Sequence, residues 1–77
     1  MEIEIISFGK IAESIESQKI EIAGINNTDE LKAHLEASFP SLKTMKYKLA
    51  LNKHIVQHNS DISNNDTVAI MPPFSGG

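Results

Sequence analysis

Thr67-Val68-Ala69-Ile70-Met71-Pro72-Pro73-Phe74-Ser75-Gly76-Gly77 is the stretch on which the reading of this chain turns. Thr67 to Met71 is nearly continuous in its hydrophobicity and reads as a strand. Such a run suits a central strand covered on both faces or nearly so. Pro72 and Pro73 supply no amide donors and favour an extended, polyproline-type path. Sheet pairing should therefore end at Met71, and the chain is led away from the body. Gly76 and Gly77 have no side chains, so the expectation is a terminal carboxylate at the tip of a thin, flexible tail, residues 72–77. Two glycines at an end can be mere fraying. Fraying, however, needs neither a buried strand nor a stiff spacer. An anchored base, a directed spacer and a narrow tip together point to a reactive C-terminus.

Working outward, Asn59 to Asp66 is a polar loop whose one apolar anchor is Ile62. Before it, Tyr47–Leu51 and His54–Gln57 alternate as strands. Asn52-Lys53 makes a tight turn between them, because Asn tolerates positive φ. Further upstream, Leu31 and Leu35 stand at helical spacing, with Ala33, Ala37 and Phe39 nearby. Asn27, Thr28 and Asp29 are good N-cap types, and Glu30 follows Asn27 by three, as in a capping box. Pro40 stops the helix, which the pattern predicts over Asp29–Ser38. The N-terminal segment alternates: Ile3, Ile5 and Ser7 face one way, Glu2, Glu4 and Ile6 the other. That strand ends near Phe8-Gly9. Ile11, Ala12 and Ile15 suit a short helical turn within Lys10–Ser17, and Lys19–Ala23 alternates as a second strand. The order is β-β-α-β-β-β. It makes one α+β domain over residues 1–77, a mixed sheet of four to five strands with one main helix and an extended C-terminal tail.

Several function classes are disfavoured by composition. The chain has 77 residues, a net charge of −3 and no cysteine. Disulfides and thiolate metal sites are excluded, and any sulfur the chain carries cannot be a cysteine thiol. Nucleic acid is not an expected partner: Lys43, Lys46 and Lys48 form a basic run, but it reads as a solvated strand edge. No apolar stretch approaches the ~20 residues of a membrane span, and Met1-Glu2-Ile3-Glu4 does not resemble a signal peptide. A cytoplasmic location is expected. His54 and His58 fall on strand and loop rather than on one helix face, and with His34 they lack ligand spacing, so no metal is expected. Nor is there a nucleophile-elbow or triad pattern. The chain does not read as an enzyme by itself.

A terminal carboxylate is a poor electrophile until ATP converts it to an acyl-adenylate. Displacement of AMP by a sulfur nucleophile gives a thiocarboxylate at Gly77, whereas displacement by an enzyme cysteine, and then a lysine, gives a protein conjugate. Both routes favour glycine, since a side chain would crowd the carbonyl.

The stretch from Asn64 to Gly77 resembles the C-terminus of the molybdopterin synthase small-subunit family: an Asp-containing turn, an apolar strand, Pro-Pro, two variable residues and Gly-Gly. Ile5-Ile6-Ser7-Phe8-Gly9-Lys10 is similar to that family's first strand and short helix. Leu49-Ala50-Leu51-Asn52-Lys53-His54-Ile55-Val56 is similar to its Asn-turn hairpin. The chain departs from the family at Met71, where an aromatic residue is common, and at Ala12-Glu13, where a basic residue is common.

The resemblance implies a ubiquitin-like β-grasp roll and a sulfur carrier that binds no cofactor itself. A ubiquitin-activating-type adenylyltransferase, consuming ATP, would activate Gly77, with Gly76 completing the tip. The thiocarboxylate would then enter the molybdopterin synthase large subunit and donate sulfur to cyclic pyranopterin monophosphate, within a heterotetramer. Partner-binding residues expected near the tail are Phe8, Ile55, Met71, Pro72, Pro73, Phe74 and Ser75. For Phe8 and Ile55, core packing is the competing reading. The alternatives in function are a sulfur carrier for thiamine thiazole synthesis, against which Pro72-Pro73 argues, and a ubiquitin-like protein modifier.

Overall fold

A computed structural model of the chain describes residues 1–73. Five strands form one sheet in the order β2-β1-β5-β3-β4. They are β1 (Glu2–Ser7), β2 (Gln18–Glu21), β3 (Lys48–Leu51), β4 (His54–Ile55) and β5 (Thr67–Met71). β1 and β5 run parallel, and every other pair is antiparallel, which makes the sheet mixed as expected. A short helix α1 (Ile11–Ser14) and the main helix α2 (Thr28–Ser38) complete it, with a 3₁₀ turn over Pro40–Thr44.

β5 is the central strand, and its two faces differ. Val68 and Ile70 are buried, together with Ile3 and Ile5 of β1 and Leu31 and Leu35 of α2. Thr67, Ala69 and Met71 are only half-buried. The near-continuous apolar run had suggested cover on both faces. One main helix can blanket only one face of a five-stranded sheet, and the other is left to its own side chains.

Helix α2 begins where its cap residues dictate. The Asn27 side chain accepts from the Glu30 amide at 2.9 Å, and Asn59 Oδ1 accepts from the Asp29 amide at 2.9 Å. Two of the orphan donors of the first turn are thereby satisfied. The Glu30 carboxylate reaches back to the Asn26 amide at 2.8 Å, one residue before the position a capping box uses. Asn59 belongs to the polar loop, which is strapped to the helix start through Thr28 N–H to Ser60 O at 2.8 Å and Ile62 N–H to Asn26 O at 3.0 Å. Ile62 is buried beneath, the anchor anticipated for that loop.

Some boundaries move. α1 is confined to four residues and Ala12 is exposed, while Ile11 and Ile15 are buried. Ile15 is already extended (φ −131°), and Ser17 Oγ accepts from the Ser7 amide at 3.0 Å, which draws the chain back to the sheet. β2 begins at Gln18 and ends at Glu21, although the Ile22 amide still reaches Met1 O at 2.7 Å. Tyr47 lies outside β3, and Lys43 sits in the 3₁₀ turn rather than at a strand edge. β4 is two residues long, with Val56 N–H adding one bond to Leu49 O at 2.8 Å. Asn52 and Lys53 both have positive φ, 49° and 73°, as the tight turn requires.

Candidate functional site

The helix-free face of the sheet and the base of the tail are continuous. Strand register sets Ile6 of β1 beside Ala69 of β5, Ala69 beside Ala50 of β3, and Ala50 beside Ile55 of β4. Because side chains alternate along each strand, these four residues form one row on the face opposite Val68 and Ile70. The two central residues are alanines, Ala50 buried at 5% exposure and Ala69 half-buried, so the row is a shallow apolar floor between a half-buried Ile6 and an exposed Ile55. Met71 stands next along β5 beyond Ala69, paired in register with Lys48.

Phe8 and Ile55 are the large hydrophobic residues left exposed among the described residues, at 49% and 40%. Core packing, the competing reading for both, is not what holds them. Both side chains are instead left largely to solvent. Phe8 is fixed there through its backbone: its amide donates to Ile70 O at 3.1 Å, and its carbonyl accepts from the Ile11 amide at 3.2 Å. Pro72 is half-buried and Pro73 exposed. Met71, Pro72 and Pro73 follow one another at the end of β5, Phe8 is tied to that end through Ile70, and Ile55 lies on the edge strand β4. Phe74, Ser75, Gly76 and Gly77 lie outside the described residues.

Ile6, Ala50 and Ala69 were not singled out from the sequence. Alternation in β1 already turned Ile6 away from the core, but only the cross-strand register reveals that it lines up with the two alanines and Ile55.

The base of β5 is held from below. Asn52 Oδ1 accepts from the Thr67 amide at 2.9 Å, while Asn52 Nδ2 donates to Asp66 Oδ1 at 3.0 Å. Asp66 Oδ2 in turn accepts from the Ser63 amide at 2.8 Å. The strand that leads to the tail is therefore tied to the β3–β4 turn and to its own preceding loop.

On the far side, between α2 and the β3–β4 edge, Thr28, Lys32, Tyr47, Val56 and His58 line a cleft of ≈ 210 Å³. The Tyr47 hydroxyl donates to the Glu36 carboxylate, and Lys32 Nζ lies 5.5 Å from the ring centroid. Burial first, then the hydrogen bond to Glu36 and its charge, push the Tyr47 phenol well above its ordinary pKa. It remains a neutral donor that ties α2 to the segment entering β3. Among the described residues no helix is long and apolar enough to cross a membrane.

One mixed five-stranded sheet, one main helix on one face, and a bare apolar face beside a proline-led C-terminal segment define a ubiquitin-like β-grasp protein. Comparison with known proteins adds the family. The chain belongs to the ThiS family of ubiquitin-like sulfur carriers, whose model matches residues 5–77. It is 32% identical over 83 residues to the molybdopterin synthase sulfur carrier subunit of Chlamydomonas reinhardtii, covering 100% of both chains. Among solved structures, it matches a chain of the complex of subunits 1 and 2 of the Helicobacter pylori molybdopterin-converting factor, at 30% identity and TM-score 0.75 with 100% of both chains covered. The small archaeal modifier protein 1 of Haloferax volcanii shares the fold at TM-score 0.77 and 15% identity, covering 95% of this chain and 98% of that one.

Proposed function

We propose that this chain is the sulfur-carrying small subunit of a cytoplasmic molybdopterin synthase, with Gly77 as the residue that bears the sulfur. The observation that carries the reading is the continuity of the bare apolar face with the strand from which the tail departs. Docking the Ile6–Ala69–Ala50–Ile55 floor on a partner would bring the segment after Pro73 to that partner in a fixed register. The 32% identity over the whole length to the Chlamydomonas reinhardtii subunit supports the molybdopterin pathway. The family match alone serves the thiazole pathway equally well.

The chemistry asked of the tail is spare. An activating enzyme joins the Gly77 carboxylate to the α-phosphorus of ATP and releases pyrophosphate. A sulfide-level donor then attacks the acyl carbon, the bond to AMP breaks, and a C–S bond replaces a C–O bond. In the large subunit the thiocarboxylate sulfur forms a C–S bond at a carbon of the pterin precursor as a C–O bond of that carbon breaks and its oxygen leaves. Water then cleaves the acyl–sulfur bond, which leaves the sulfur on the precursor and restores the carboxylate. The large subunit supplies the catalytic groups, while Phe8, Ile55, Met71, Pro72, Pro73, Phe74 and Ser75 hold the carrier to it.

Reconstitution tests the pathway. The sulfurated chain is mixed with a molybdopterin synthase large subunit and cyclic pyranopterin monophosphate, and in parallel with a thiazole synthase and its substrates. Dithiolene formation in the first mixture alone is the expected result. Thiazole in the second, with no dithiolene in the first, would move the assignment to thiamine synthesis.

A further inference from the structure

Gly9 occupies a seat that the fold leaves no room to widen. Its φ is +59°, in the left-handed region that glycine enters without a Cβ clash. A methyl group on its α-carbon would lie 2.9 Å from Pro72 Cγ and 3.5 Å from Pro72 Cδ. The first distance is well inside carbon–carbon contact, where the optimum is about 3.5–4.0 Å. The Pro72 ring therefore occupies the space that a side chain at residue 9 would need.

That close approach is held from both sides. On the β1 side, the Phe8 amide bonds Ile70 O at 3.1 Å, and the Gly9 carbonyl accepts from the Ala12 amide at 3.1 Å. On the tail side, Met71 is the last paired residue of β5. Pro72 has no amide with which to continue the ladder. Pairing ends there, and the Pro72 ring lies over Gly9.

We infer that Gly9 is a positioning residue for the tail: by admitting the Pro72 ring against its bare α-carbon, it sets the direction in which the chain leaves the domain at Pro73. The inference rests on the proposed carrier function for its kinetic consequence, but not for its geometric one. Reaction at a terminal carbonyl depends on delivery to the reacting atoms, and a misplacement of about 1 Å can cost on the order of a hundredfold in rate. Gly9 touches no reactant. It acts through Pro72.

The test is a double-mutant cycle on the full chain with Gly9→Asn, Pro72→Ala and the two combined. Asn tolerates positive φ, so G9N separates the clash with Pro72 from backbone strain. Rates of thiocarboxylate formation with the activating enzyme, ATP and sulfide are followed by intact mass. G9N is expected to lower kcat by about tenfold to a hundredfold, with KM within about threefold of wild type. In the P72A background the same change should cost less than about threefold. An equal loss in both backgrounds, or no loss in either, would overturn the inference.

NMR decides the geometry independently of activity. The expected results are a nuclear Overhauser contact between Gly9 Hα and Pro72 Hγ in the wild type, and displaced amide signals for residues 74–77 in G9N. Unmoved tail signals in G9N would overturn the inference whether or not the wild type takes up sulfur. A wild type that takes up none would instead count against the carrier function.

Discussion

The amide of Phe8 donates a 3.1 Å hydrogen bond to the carbonyl of Ile70, so the most exposed large apolar residue among the described residues is fastened to the strand that carries the tail. Docking and delivery share one joint. On the proposed function, a partner that seated Phe8 would simultaneously fix the position of β5's last residues.

Truncating Phe8 to Ala should therefore weaken binding far more than folding. The ring is exposed, so stability should shift by less than about 0.5 kcal/mol in urea. Affinity for the large subunit, measured by calorimetry, should fall about tenfold to a hundredfold, as for an aromatic anchor. Phe74→Ala and Ile55→Asp should follow the same pattern. Equal losses of stability and affinity would place these side chains in the core instead.

Ile70→Ala addresses the opposite face of the same strand. Ile70 is fully buried with Ile3, Ile5, Leu31 and Leu35. Deleting its outer carbons should cost about 2–5 kcal/mol. A domain of this size has roughly 3–5 kcal/mol in hand, so urea and thermal melts should show a variant near half-unfolded at 37 °C.

Tyr47 predicts a pH dependence. Its folded pKa is raised, so the folded protein holds this proton at pH values where the unfolded chain, with a phenol near 10, releases it. The unfolded state then binds fewer protons, and stability falls as pH rises above about 10. Its contribution is fully present below that pH. Tyr47→Phe should cost about 1 kcal/mol at pH 7 through the lost bond to Glu36. The gap between wild type and variant should narrow as pH rises from about 10 to 12, read from urea midpoints across that range. A constant gap would show that Tyr47 does not titrate differently on folding.

Asn27→Ala should remove the acceptor of the Glu30 amide. The expected cost is about 1 kcal/mol, by urea unfolding, with faster hydrogen exchange confined to the first turn of α2. No change in either would mean that Asn59 alone caps the helix.

Much of this architecture was legible because local signals agreed with one another. Thr67–Met71 was hydrophobic enough to be central, and it is. Leu31 and Leu35, the caps around Asn27 and the stop at Pro40 gave α2 to within a residue. Asn52-Lys53 gave its turn. The 3₁₀ turn at Pro40–Thr44 escaped because five residues are too few to display a period, and Pro40 had been read only as a terminator. Its buried Leu42 sits between exposed neighbours and carries no pattern of its own.

At the site, what escaped was everything that depends on pairing between distant strands. Ala50 and Ala69 look unremarkable in a linear reading, and only register puts them side by side as a floor. The approach of Gly9 to Pro72 joins two ends of the chain, and neither residue announces the other. The exposure of Phe8 and Ile55 was only half legible, because an apolar side chain near the end of a strand suits core packing as well as a surface.

Intact mass spectrometry of the chain, after incubation with its activating enzyme, ATP and a sulfide donor, tests the central claim most directly. The carrier chemistry predicts the exchange of one oxygen for one sulfur, a gain of about 16 Da, located on Gly77 and abolished when Gly77 is deleted. An unchanged mass with a demonstrably active enzyme, or isopeptide adducts on other proteins in place of the thiocarboxylate, would contradict it.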